Sequence, residues 1–105
     1  NPGKLRRRIT IQELTEVKDP LSGELTSDWQ DVCTVWAEIK ALRGREYFTA
    51  QQTLAESNHE IIIRYRKGIK PAMRAISDGR VFDIQAVLDK DGRKRFLSLV
   101  CKEVF

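Results

Sequence analysis

MRAISDGRVFDIQAVL, residues 73–88, spells a β-hairpin. Met73 to Ile76 and Arg80 to Leu88 flank Ser77-Asp78-Gly79. Asp-Gly between two apolar runs is the strongest short hairpin signal, because both residues accept the positive φ that a two-residue turn needs. Val81, Phe82, Ile84, Ala86, Val87 and Leu88 supply core. Downstream, Asp89 to Lys94 contains a second turn at Asp91-Gly92. Arg95 to Phe105 then reads as the last strand, with Leu97, Leu99 and Cys101 opposing Phe96, Ser98 and Val100. Upstream, His59 to Arg66 is a strand with Ile61, Ile63 and Tyr65 inward and Ile62 breaking the alternation.

The first half continues the pattern. Leu5 to Leu14 places Leu5, Ile9 and Ile11 on one face, interrupted by Arg7. Trp29 to Leu42 is the longest strand candidate. It puts Trp29, Cys33, Val35, Ala37 and Ile39 on one side and Val32 and Trp36 on the other, as in a strand that is central or bent between two surfaces. Trp36 packs either in its own core or against a helix or a neighbouring subunit. Between these strands, residues 15–27 carry the turn signals Asp19-Pro20 and Ser22-Gly23, so they form a long hairpin tip or a flexible loop.

Residues 44–57, GREYFTAQQTLAES, alone read as helix. They hold good helix formers and no proline, and Glu46 sits in the first turn, where the helix dipole favours it. Tyr47, Phe48, Leu54 and Ala55 share one face, but the stripe is broken by Ala50, Gln51 and Gln52. Such a helix caps a barrel end, or it turns its glutamine face toward a partner. The sum is a mainly β chain: a small antiparallel β-barrel of about six strands with one inserted α-helix and a long protruding loop, forming a single domain over 1–105.

Composition bounds the function. The 105 residues suffice for one core. No apolar run approaches the roughly 20 residues of a membrane helix, and Asn1 to Arg8 is polar and basic, unlike a signal peptide. Cys33 and Cys101 lie in apolar runs and read as reduced, buried thiols, although the sequence leaves a disulfide open. His59 is the sole histidine, with no CxxC beside it, so neither a metal centre nor any cofactor is expected. No P-loop, GxSxG or HExxH occurs, and no catalytic constellation assembles; the chain reads as a non-enzyme.

Charge leaves two binding classes open. Lys and Arg total 19 against 15 acids, a net charge of +4. That excess permits contact with nucleic acid or an acidic protein surface. Arg6, Arg7 and Arg8 form the densest positive cluster, either a solvated strand end or an electrostatic contact for a phosphate backbone or acidic partner. A small basic barrel also has the shape of an OB-like single-stranded nucleic-acid-binding module, which stacks bases on exposed aromatics. Here most aromatics share faces with aliphatics, which favours core over stacking.

The order of certain pieces is specific. A basic first strand (GKLRRRITIQ) is followed by Trp29, VWAEI at 35–39, GREYF at 44–48, IRYR at 63–66 and DGRVFDI at 78–84. From Gly3 to Val104 the chain resembles the tailed-phage head–tail adaptor, or head–tail joining, family. The resemblance implies a β-barrel with one helix and a structural role. It implies a sixfold or twelvefold ring of identical subunits, monomeric when free, that closes the DNA-filled head and docks the tail. Partners would be other copies of the chain, the portal–adaptor ring and tail proteins, with transient contact to passing double-stranded DNA and no membrane. The site would be the virion, after assembly in a bacterial cytoplasm. On that basis the expected interface residues are Lys18, Asp19, Pro20, Leu21, Ser22, Gly23, Glu24, Trp36, Arg43, Arg45, Gln51 and Gln52, with basic contacts from Arg6, Arg7 and Arg8. Residues 18–27 are expected to be mobile in the monomer and to order on docking.

Overall fold

A computed structural model describes residues 5–42, 58–90 and 92–104. Six strands follow in order: β1 (Arg7–Lys18), β2 (Leu25–Ala41), β3 (His59–Arg64), β4 (Arg74–Ser77), β5 (Arg80–Asp89) and β6 (Phe96–Val104). Every pairing is antiparallel, and the order β1-β2-β3-β6-β5-β4 closes on itself as a barrel. Closure leaves no sheet edge within the barrel body. The expected helix over 44–57 lies outside the described residues.

The β4–β5 hairpin forms as its sequence dictates. Ser77 pairs with Arg80, and the two residues between them take positive φ, 49° at Asp78 and 78° at Gly79. That is the primed turn whose twist matches the flanking strands.

The interior is filled by alternate residues of all six strands. Ile9, Ile11, Ala37, Ile61, Ile63, Ala75, Phe82, Ile84, Leu97, Leu99 and Cys101 are buried there, with Ile69 and Met73 of the β3–β4 connection closing over them. β3 and β6 are buried on both faces: Glu60, Ile62, Ser98 and Val100 point away from the interior yet are also covered. This explains the break in alternation at Ile62, since a strand covered on both sides reads as a continuous apolar run. The polar pair in that layer satisfies itself, Ser98 Oγ donating to Glu60 Oε2.

Two bulges correct the expected faces. On β2, Cys33 pairs with Ile11 but Asp31 pairs with Gln12, so Val32 is an extra residue. An unpaired residue shifts the alternation by one. Trp29 is therefore carried to the face opposite Cys33, Val35 and Ala37 rather than sharing theirs. On β5 the extra residue is Gln85. Val87 takes the inward position next to the core, and Leu88, expected as core, is 42% exposed.

Residues 15–27, expected as a long hairpin tip or a flexible protruding loop, are mostly strand. Thr15 to Lys18 pair with Asp28 to Leu25, and only Asp19–Glu24 turn the chain. β1 meets β4 only at Thr10 to Gln12, and β2 meets β3 only from Ala37 onward. Beyond those points the β1–β2 hairpin is a two-stranded arm standing off the barrel, in a molecule of 49 × 29 × 26 Å.

Candidate assembly surfaces

The arm ends in a turn built by one side chain. Asp19 accepts hydrogen bonds from the Leu21 amide (2.9 Å) and Ser22 Oγ (3.0 Å), and its backbone carbonyl accepts from Gly23 N (2.8 Å). Asp19 N donates to the Glu24 carbonyl (2.8 Å), and Ser22 Oγ accepts from Glu24 N (3.2 Å). Gly23 takes φ 74°, the left-handed conformation that closes such turns at least cost. The amide of Leu21, then the Ser22 hydroxyl, hold the Asp19 carboxyl below its usual range. The result lifts Leu21, 96% exposed, to the tip, with Pro20 beside it. Leu14, Val17 and Leu25 are also exposed along the arm, and Lys18 pairs with Leu25 at its end.

At the root, side chains tie the arm to the barrel. Arg74 of β4 lies 4.1 Å above the Trp29 ring and donates from Nε to Gln12 Oε1 (2.8 Å). Gln12 Nε2 in turn donates to Asp31 Oδ1 (2.7 Å). The bulge at Val32 is what delivers Trp29 to this face.

The second surface lies where β1 starts. Trp36 is half exposed, and the guanidinium of Arg8 covers its ring at 4.9 Å. Trp36, Leu5, Arg6 and Arg64 line an open hollow of about 440 Å³. Arg7 points elsewhere, to Asp78 at 3.7 Å, an exposed pair of little energetic weight. The three consecutive arginines thus have three different surroundings.

The third surface was invisible in the sequence. Arg64 pairs with Phe96, and the Tyr65 amide donates to the Arg95 carbonyl (2.9 Å). This brings two basic segments, separated by some thirty residues in the chain, to one hollow of about 480 Å³ lined by Arg64, Tyr65, Lys94, Arg95 and Phe96. Arg64 belongs to both hollows, so Arg6, Arg64, Lys94 and Arg95 make one continuous basic border. The β3–β6 pairing thus gathers Arg64 with Lys94 and Arg95, which lie far from it in the chain.

His59 sits in an ion cluster at the opposite end of β3. Arg80 holds Glu103 with two hydrogen bonds (2.8 and 2.9 Å) and approaches His59 Nε2 at 3.3 Å. His59 Nδ1 meets Asn58 Oδ1 at 2.8 Å, and the imidazole packs edge-on against Phe82 at 5.2 Å. Burial lowers the His59 pKa, opposed by Glu103 and reinforced by Arg80. Arg80 holds Glu103 below the usual carboxylate range. Neutral, tucked against Phe82 and flanked by an arginine, His59 serves packing. Burial pushes both thiols up, Cys101 most strongly, so neither is an activated nucleophile. Among the described residues no group of three His, Cys, Asp or Glu side chains could hold a metal ion, and no helix is long and apolar enough to cross a membrane.

Of the expected interface residues, Lys18 to Glu24 form the tip and Trp36 a hollow some distance away; Arg43, Arg45, Gln51 and Gln52 lie outside the described residues. The OB-like alternative gains no support. Each tryptophan ring already has one face occupied by an arginine, where a stacking base would sit.

Comparison with known proteins gives a consistent picture. The head completion protein gp7 of Enterobacteria phage HK97 is 30% identical over 73 residues, 70% of this chain. The chain spans 64% of that relative's length. The solution structure of protein SF1141 from Shigella flexneri 2a superposes with a TM-score of 0.81 at 35% identity, covering 98% of this chain and 96% of that one. A chain in the virion of a native gene transfer agent particle superposes with a TM-score of 0.64 at 26% identity, covering 95% and 96%. The model of the phage head completion proteins matches residues 1–104. This match along the chain establishes that it belongs to the phage head completion protein family.

Proposed function

We propose that this chain is a structural subunit of the head–tail connector of a tailed phage or prophage. Identical copies form a ring that closes the DNA-filled head and offers the docking surface for the tail. Family membership along the whole chain is the observation that carries this reading. The geometry supports it: a closed barrel supplies a rigid body, and the arm tip and the Trp36 hollow are two different patches far apart on one subunit. A ring of identical subunits needs two such unlike patches. The portal–adaptor ring on one side and tail proteins on the other are the remaining partners, and the finished protein resides in the virion after assembly in the bacterial cytoplasm.

Contact with passing double-stranded DNA falls to the Lys94 and Arg95 end of the basic border. A few phosphate contacts give weak, salt-sensitive affinity without sequence preference, which suits a conduit. The test is a phage or prophage lacking this gene. The reading expects DNA-filled heads without tails, rescued by the wild-type chain, and the chain itself in purified virions. Normal tailed particles in its absence would overturn it.

A further inference from the structure

The charge of this molecule is split by its architecture. Residues 13–31, the arm, hold six acids (Glu13, Glu16, Asp19, Glu24, Asp28 and Asp31) and one base, Lys18: a net charge of −5. The other described residues hold fifteen bases and six acids, a net charge of +9. The modest total of +4 conceals a strong dipole between a projecting arm and its barrel.

The two ends are opposite in charge, and each carries an exposed apolar group. At the tip, a fully exposed leucine, Leu21, stands between the acids Asp19 and Glu24 on a turn fixed by the Asp19 hydrogen bonds. At the barrel, Leu5 and Trp36 line a hollow together with Arg6 and Arg64, with Arg8 over one face of the Trp36 ring. Within one subunit they do not meet. From Leu25 to Trp36 the strand runs eleven residues, about 36 Å at 3.3 Å per residue. The ladder between them keeps the arm extended.

We infer that the arm tip of one copy seats in the Leu5–Trp36 hollow of the next, Leu21 against Leu5 and Trp36 and the tip acids against Arg6 and Arg64. The occupant is a second copy of this chain because both halves of the fit are on every copy and neither can satisfy the other internally. Tip-to-hollow contact is heterologous, so it repeats head to tail and closes into a ring when the rotation allows. Charge of opposite sign steers the encounter and sets its direction, since tip against tip repels. The inference rests on the proposed ring and names the contact that would build it.

The test uses Leu21→Cys and Leu5→Cys as separate variants of the full chain. Mild oxidation should give covalent dimers from the mixture, above the background of the wild-type thiols, and little from either variant alone. The chain carrying both changes should give a ladder of oligomers. In assembled particles, Glu24→Lys or Arg64→Glu alone should cut incorporation at least about tenfold, and both together should restore it. Dimers from Leu21→Cys alone at the yield of the mixture would show a symmetric tip contact and overturn the inference. So would swaps without restoration, or no cross-link in particles that contain the chain. If wild-type chain never joins phage heads yet the mixture cross-links, the connector reading fails and the pairing stands. If it joins heads without cross-linking, the reverse holds.

Discussion

Phe82→Ala should cost about 3–5 kcal/mol, the range for truncating a buried aromatic. Phe82 is fully buried near the start of β5, between Ala75 of β4 and Glu103 of β6 in register. Removing the ring strips on the order of 100–150 Å² of buried apolar surface, worth about 2.5–4 kcal/mol at roughly 25 cal/mol per Å². Loss of the edge-on contact with His59 adds about 0.5–1 kcal/mol. Domains of this size hold roughly 5–10 kcal/mol in all. The variant should therefore be marginal, and Phe82→Leu, costing about 1–2 kcal/mol, gives a folded comparison. Urea unfolding followed by circular dichroism reads the change. With a slope near 1–1.5 kcal/mol per molar, the midpoint falls by about 0.7–2 M for Phe82→Leu and by about 2–5 M for Phe82→Ala. A second readout comes from the neighbour. The Phe82 ring helps keep water from His59, whose pKa is lowered chiefly by burial, so in Phe82→Leu the His59 pKa should rise toward its ordinary value. A midpoint shift worth less than about 1 kcal/mol in Phe82→Ala, or a His59 titration unmoved in Phe82→Leu, would refute the packing described for this end of the barrel.

Acidification should weaken the fold in two windows. His59 has a folded pKa below its unfolded value near 6.5, so the unfolded chain takes up the proton first and stability falls as pH drops below about 6.5; His59→Gln should erase that step in pH-dependent urea midpoints. Glu103 and Asp19 are also lowered, so their stabilisation is present above their ordinary carboxylate pKa and is lost as pH falls through that region; Glu103→Gln should shrink this second step. Backbone strain gives a prediction of opposite signs: Ala72, held at φ 75°, should gain up to about 1 kcal/mol as Ala72→Gly, and Gly79→Ala, at φ 78°, should lose about 1 kcal/mol, both read from melting curves. Amide exchange should be faster in residues 14–29 of the arm than in β3 and β6, because a two-stranded ladder opens more easily than a barrel strand covered on both faces; equal protection would contradict the architecture.

The sequence announced the barrel where local chemistry sets geometry. Asp78-Gly79 required a tight turn and made one. Ile61, Ile63, Leu97 and Leu99 alternated as buried strand residues must. The two bulges were illegible because nothing about Val32 or Gln85 marks an unpaired residue. Both are set by how neighbouring strands fit, and each reversed the faces beyond it, moving Trp29 out and Leu88 with it. The reach of β1 and β2 into residues 15–27 was hidden for a related reason. Polar residues with turn signals read as loop, yet a two-stranded arm in solvent has no core face to require apolar side chains. The basic border was hidden by distance along the chain. Arg64 and Arg95 become neighbours only through the pairing of β3 with β6. The acidity of residues 13–31 was written in the sequence throughout, but it acquired meaning only once those residues proved to be a single projecting element. The expectations placed on 44–57 concern residues outside those described.

The central claim is that this chain is a ring-forming component of the head–tail junction, and imaging of purified particles tests it most directly. Density at the junction should show several copies of the six-stranded barrel around the channel axis, each with its arm reaching the adjacent copy. Particles whose junction lacks this barrel, or holds it as an isolated single copy, would contradict the account.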